Sequence, residues 1–200
     1  MTPSSDAAKQ REEYWRVFCA INLAPDTREL VLQYIERLKR AVPEMRASWA
    51  RAESLHLTLK FLGDIPQTSV ERLSNAAARA VAGASPFSVV LEGTGIFPTP
   101  RQPRVLWIGI NDLSRQLVAL HERLEEESVP EGFAREARNF QPHLTIARLR
   151  RPEHARALAS THRQMEFPPV EVLVSELLVV RSELTTEGSR YATVSRHQLG

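Results

Sequence analysis

Leu55-His56-Leu57-Thr58-Leu59 and Pro142-His143-Leu144-Thr145-Ile146 are two copies of one pattern, set in opposite halves of a 200-residue chain. In an extended strand, side chains two apart share a face, so each copy aligns its histidine with its threonine and turns its aliphatic residues the other way. The sequence around the two copies repeats as well. Arg16-Val17-Phe18-Cys19-Ala20-Ile21-Asn22 is echoed by Arg104-Val105-Leu106-Trp107-Ile108-Gly109-Ile110-Asn111, and both runs read as buried strands. Pro25-Asp26 then opens an apolar series, Leu30, Val31, Tyr34, Ile35 and Leu38, at helical spacing, and Leu113, Leu117, Leu120 and Leu124 form its counterpart. The order strand, helix, histidine strand therefore recurs at nearly constant spacing.

A second helix is expected after each histidine strand, over about 66–82 and 152–164, and each half closes in strands, Phe87 to Leu91 and Val170 to Val180. Periodicity leaves open whether the latter run is two strands or one bent strand. Tyr191-Ala192-Thr193-Val194 reads as a final strand after a turn at Glu187-Gly188, and the glycine- and proline-rich stretch from Gly93 to Arg104 reads as a connection between lobes. Rossmann and P-loop glycine fingerprints are absent. The repeat instead suggests two α+β lobes related by a pseudo-two-fold, with their histidine strands side by side at a central cleft. Periodicity alone is equally compatible with one continuous sheet.

Composition narrows the class. A hydrophobic content of 42% supports a substantial core. The charge balance, 26 basic against 24 acidic residues, permits an anionic ligand without a broad basic surface. Residues 1–14 are expected to be a flexible extension, polar over 1–13 with no secretory apolar core, ahead of a single domain over 15–200 with repeat halves of about 15–98 and 99–200. A lone cysteine, Cys19, and the lack of an apolar run of ~18 residues point to a cytoplasmic protein without a membrane span.

Two imidazoles at one site suit acid–base catalysis, because a neutral ring can take a proton while a protonated one gives it. Threonine hydroxyls beside them can donate hydrogen bonds to non-bridging oxygens and so stabilise charge building on phosphorus. Attack of water on a cyclic or activated phosphodiester fits both features. Neither His-Glu-x-x-His nor paired Cys-x-x-Cys occurs, and no Gly-x-Ser-x-Gly elbow, so neither a metal nor a cofactor is expected.

The paired motifs resemble the two His-x-Thr-x signatures of the 2H phosphoesterase superfamily. More closely, the chain resembles the LigT-like RNA 2′,3′-cyclic phosphodiesterases, the 2′-5′ RNA ligase family. The likeness runs from about Trp15 to Leu199 and rests on Arg16 to Ala20, Leu55 to Gly63, Phe97-Pro98 with Pro103 to Trp107, and Phe140 to Arg148. It implies a bilobal α+β fold, two pseudo-symmetric lobes of antiparallel sheet plus helices around a cleft. It also implies an enzyme that opens the 2′,3′-cyclic phosphate end of RNA to a 2′-phosphomonoester, with 2′-5′ joining as a possible reverse reaction. By motif position His56 is the expected proton donor, His143 the acceptor, and Thr58 and Thr145 the phosphate-binding pair. The expected partner is RNA with a cyclic phosphate end or a related nucleotide, and a monomer is the default. The alternatives are an RNA-end or nucleotide-binding module with little catalysis, or a phosphodiesterase for a small cyclic nucleotide or 2′-5′ oligoadenylate.

Other residues carry two readings each. Lys60 shares the alternation face of His56 and Thr58, so it meets substrate or is solvated at the rim. Phe18 either stacks a base or packs in the core. Arg101, Arg104 and Arg148 read equally as ion-pair partners or phosphate contacts, and Arg148 joins the face of His143 only if its strand ends or bulges at Ala147. His121, His154, His162 and His197 read as surface positions, and Cys19 as a buried thiol.

Overall fold

The hydrophobic runs form strands that divide between two antiparallel sheets. The computed structural model describes residues 12–150, 155–186 and 188–200. The expected extension lies outside these residues over 1–11, and Tyr14 already belongs to a strand. The strands are β1 (Tyr14–Asn22), β2 (Ser48–Trp49), β3 (His56–Pro66), β4 (Phe87–Thr99), β5 (Gln102–Asn111), β6 (His143–Arg148), β7 (Val170–Val174), β8 (Glu176–Thr185) and β9 (Gly188–Gln198). The helices are α1 (Pro25–Ala41), α2 (Val70–Val81), α3 (Gln116–Ser128) and α4 (Arg156–Gln164). One sheet has the order β3-β1-β8-β9 and the other β2-β6-β5-β4-β7.

Each sheet draws strands from both repeat halves. The run from Val170 to Val180 breaks at Ser175, and its two pieces join different sheets, β7 beside β4 and β8 beside β1. The expected lobe connection from Gly93 to Arg104 is instead most of a hairpin between β4 and β5. Glycine does not end the strand, because Gly93, at φ +68°, is the extra residue of a bulge and leaves the pairing intact on either side.

Pro25 opens α1 at its first turn, where a missing N–H costs nothing, and the helix buries Val31, Tyr34, Ile35 and Leu38. Helix α2 follows a short 3₁₀ turn, Gln67–Ser69, and buries Leu73, Ala76, Ala77 and Ala80. Full burial of a large aliphatic side chain stabilises by about 1.5–3 kcal/mol. Leu57, Leu59, Leu144 and Ile146, the aliphatic halves of the two motifs, all contribute to this core.

Both histidine strands bulge at the same point of the repeat. Cys19 and Ala20 of β1 face Lys60 and Thr58, which leaves Leu59 as an extra residue, and Leu106 and Trp107 of β5 face Ala147 and Thr145, which leaves Ile146 extra. A bulge re-aims every side chain after it. Each bulge frees a carbonyl, and each is satisfied from outside the ladder: His121 Nδ1 of α3 donates to Leu59 O at 2.9 Å, and Ala50 N donates to Ile146 O at 2.9 Å. His121 is therefore buried, stacked on Phe140 at 4.0 Å, rather than at the surface.

Candidate active site

The start of β3 and the start of β6 present their polar faces to one cavity of about 760 Å³, lined by His56, Thr58, His143, Thr145 and Arg148 among others. The spacing His-x-Thr keeps histidine and threonine half-buried on this face, while Leu57 and Leu144 point into the core. Residues Ala47 to Arg51, Glu53 and Ser54 also line it, with Leu184 to Thr186, Gly188, Ser189 and Tyr191 of the β8–β9 hairpin.

Each imidazole is held by the carbonyl two residues upstream of it. His143 Nδ1 donates to Gln141 O at 2.8 Å, and His56 bonds the Ser54 backbone. Because a carbonyl only accepts, the bond fixes the His143 tautomer and leaves Nε2 as the basic nitrogen. Burial pushes His56 down to about 4, against the opposing effect of the Ser54 bond, and the Arg148 charge lowers it further. Burial, and after it the Arg148 charge, likewise lower His143 against the opposing effect of the Gln141 bond.

The rings packed on the two histidines differ. Phe18 stacks on His56 with centroids 4.6 Å apart, and Tyr191 meets the same imidazole edge-on at 5.3 Å. Against His143 stand Phe97, edge-on at 5.0 Å, and Trp107 at 6.2 Å. Trp107 in turn lies over Gly95, where a Cβ would fall 1.9 Å from its ring. Nothing local in the sequence assigns these aromatic neighbours to the histidines. Tyr191 carries no such signal, because its place depends on β9 pairing with β8.

Several expectations are corrected. Lys60 does not face the cavity: the bulge at Leu59 turns it inward, where it is 1% exposed and bonded to Glu125 Oε1 at 2.7 Å and Ala134 O at 2.9 Å. Phe18 is buried with Ala20, Leu178 and Val180, and its ring contacts His56 instead of being open to a base. Arg104 is exposed on β5 and is not among the described residues lining the cavity. Arg148 does join the face of His143, by the bulge at Ile146. Arg101 lies at a different cavity. His162 is fully buried, His197 is half-buried, and His154 lies outside the described residues. Cys19 is buried, which pushes its thiol up to about 12 and leaves it unreactive. Among the described residues no group of three or more His, Cys, Asp or Glu is placed to hold a metal, and no helix is long and apolar enough to cross a membrane.

Residues 26–186 match the 2′-5′ RNA ligase superfamily. The chain belongs to this superfamily. It is 33% identical over 185 residues to an RNA 2′,3′-cyclic phosphodiesterase of Methanothermobacter thermautotrophicus, covering 92% of this chain and 98% of that protein. The RNA 2′,3′-cyclic phosphodiesterase of Thermotoga maritima is also 33% identical, over 177 residues, covering 88% and 91%. Among solved structures, Escherichia coli LigT complexed with 3′-AMP superposes with a TM-score of 0.74 at 27% identity, covering 94% of this chain and 99% of that one. The α+β arrangement of two antiparallel sheets is thus the 2H phosphoesterase fold of the superfamily.

Proposed function

We propose that this protein is an RNA 2′,3′-cyclic phosphodiesterase that leaves a 2′-phosphomonoester, and that His143 and His56 divide the proton transfers. The observation that carries the reading is that two His-x-Thr strands meet at one cavity with each imidazole fixed by its own backbone carbonyl. Relatives named for this activity match over nearly the whole chain and support the same substrate.

In the proposed reaction, the cyclic phosphate lies with its non-bridging oxygens on the Thr58 and Thr145 hydroxyls and the Arg148 guanidinium. His143 Nε2 takes a proton from water as its oxygen attacks phosphorus. The bond from phosphorus to O3′ breaks, and protonated His56 gives its proton to that oxygen. In the free enzyme burial holds His56 neutral near pH 7. The anionic phosphate raises its proton affinity on binding, so substrate itself arms the acid. We place the enzyme in the cytoplasm as a monomer whose site is completed within one chain.

The test is turnover of an oligonucleotide ending in a 2′,3′-cyclic phosphate. His56→Ala and His143→Ala should each lower kcat by about 10²–10⁴ with the circular-dichroism spectrum unchanged. Parent-like turnover by either variant contradicts the proposal, and tight binding without turnover by the parent favours an RNA-end-binding module.

A further inference from the structure

A second cavity, of about 550 Å³, lies outside the catalytic cleft, between the β4–β5 turn and the exposed face of α4. Three arginines line it, Arg101 from the turn and Arg156 and Arg163 from the helix, together with Ser160 and Gln164. No acidic residue is among the lining, and among the described residues none of the three guanidiniums has an ion-pair partner. Three like charges around one cavity repel one another unless an anion joins them. The planar fork of a guanidinium fits phosphate oxygens two at a time, and Ser160 and Gln164 add neutral hydrogen-bonding groups.

The helix that carries two of these arginines is fixed to the catalytic sheet. His162, on the opposite face of α4, places Nε2 at 3.2 Å from Gly95 O and 3.1 Å from Trp107 O, and Nδ1 at 3.0 Å from the Tyr34 hydroxyl. Burial keeps this ring neutral, so Nε2 donates to both carbonyls. The backbone between the two cavities is also short. Arg148, in the cleft, pairs with Val105, and the next pair along joins Leu149 N to Arg104 O at 2.8 Å, three residues from Arg101. Arg150 also lines the cleft.

We propose that the cavity of Arg101, Arg156 and Arg163 binds backbone phosphates of single-stranded RNA upstream of the nucleotide held in the cleft. The inference rests on the proposed RNA substrate and adds a site that distinguishes a long strand from a mononucleotide. Electrostatic binding of this kind is sequence-independent and salt-sensitive.

The test compares the parent with the triple variant Arg101→Gln/Arg156→Gln/Arg163→Gln, all three positions being exposed. Binding of an RNA of about a dozen nucleotides ending in a 3′-phosphate is followed by fluorescence anisotropy against salt, and hydrolysis of a mononucleoside 2′,3′-cyclic phosphate is measured in parallel. The triple variant should bind the RNA more weakly and flatten the slope of log K against log salt by about 2, at about 0.7 for each phosphate no longer neutralised. Its kcat/KM for the mononucleotide should equal the parent's. Unchanged RNA affinity and slope overturn the proposal, as does an equal loss on the mononucleotide. If the parent binds a glutamate-rich peptide that the variant loses while keeping RNA, the cavity serves an acidic protein and the proposal also falls. A parent that hydrolyses no cyclic phosphate but shows the RNA-binding difference contradicts the catalytic reading and leaves this one standing.

Discussion

Replacing Lys60 with methionine keeps the length of the side chain but removes a cation that is 1% exposed and lies 2.7 Å from a Glu125 carboxylate that is itself 6% exposed. The pair is tightly enclosed: the ammonium also bonds Ala134 O at 2.9 Å, and Glu136 N donates to Glu125 Oε2 at 3.2 Å. Removing one partner strands the other charge away from water, at about 3–5 kcal/mol. With a urea m-value of about 2 kcal/mol/M, the midpoint of unfolding should fall by about 1.5–2.5 M. The double variant Lys60→Met/Glu125→Leu should regain part of this loss, because no charge is then left alone. The kcat of the folded single variant towards a cyclic phosphate should stay within about threefold of the parent, against the ~10² or more lost with a proton-transfer group. A small midpoint shift joined to a large loss of kcat or a rise in KM refutes the reasoning and returns Lys60 to the substrate.

Three further outcomes follow from the surroundings of the histidines. Burial lowers His56 to about 4 and also lowers His143, so the unfolded chain binds more protons between about pH 4 and 6.5. Their contribution to stability should be complete above about pH 6.5 and lost as pH falls through that window, and His56→Gln should flatten the slope in urea melts taken at several pH values. Phe18→Leu keeps an apolar filler but removes the ring stacked on His56, so stability should change by less than about 1.5 kcal/mol. The acidic limb of kcat/KM should move upward in pH as the imidazole is hydrated. Gly95→Ala forces Trp107 away from a Cβ that would sit 1.9 Å from its ring. It should cost about 1–3 kcal/mol in unfolding and lower kcat through the contact of Trp107 with His143.

Local periodicity made much of this molecule legible. The His-x-Thr alternation and the helical stripe Val31, Tyr34, Ile35 and Leu38 are carried by neighbours within a few residues, and the repeat shows as like spacing around each of the two motifs. What escaped depends on pairing between distant segments. The bulges at Leu59 and Ile146 are set by registry with β1 and β5, and each reverses the alternation that put Lys60 beside His56 and Arg148 away from His143. His121 and His162 look solvated among charged neighbours in sequence. Each is instead buried because it satisfies strand carbonyls, Leu59 O in one case and Gly95 O and Trp107 O in the other. The break at Ser175 is equally silent locally, since β7 and β8 are both apolar and only their partners β4 and β1 separate them.

The division of labour between the two histidines is tested most directly with a phosphodiester whose leaving group departs as a stable anion, such as a p-nitrophenyl ester. Such a group needs no proton, so His56→Ala should hydrolyse it at close to the parent rate while failing on the RNA cyclic phosphate, and His143→Ala should fail on both. Equal loss of activity by the two variants on both substrates, or rescue of His143→Ala instead, contradicts the assignment of His56 as acid and His143 as base.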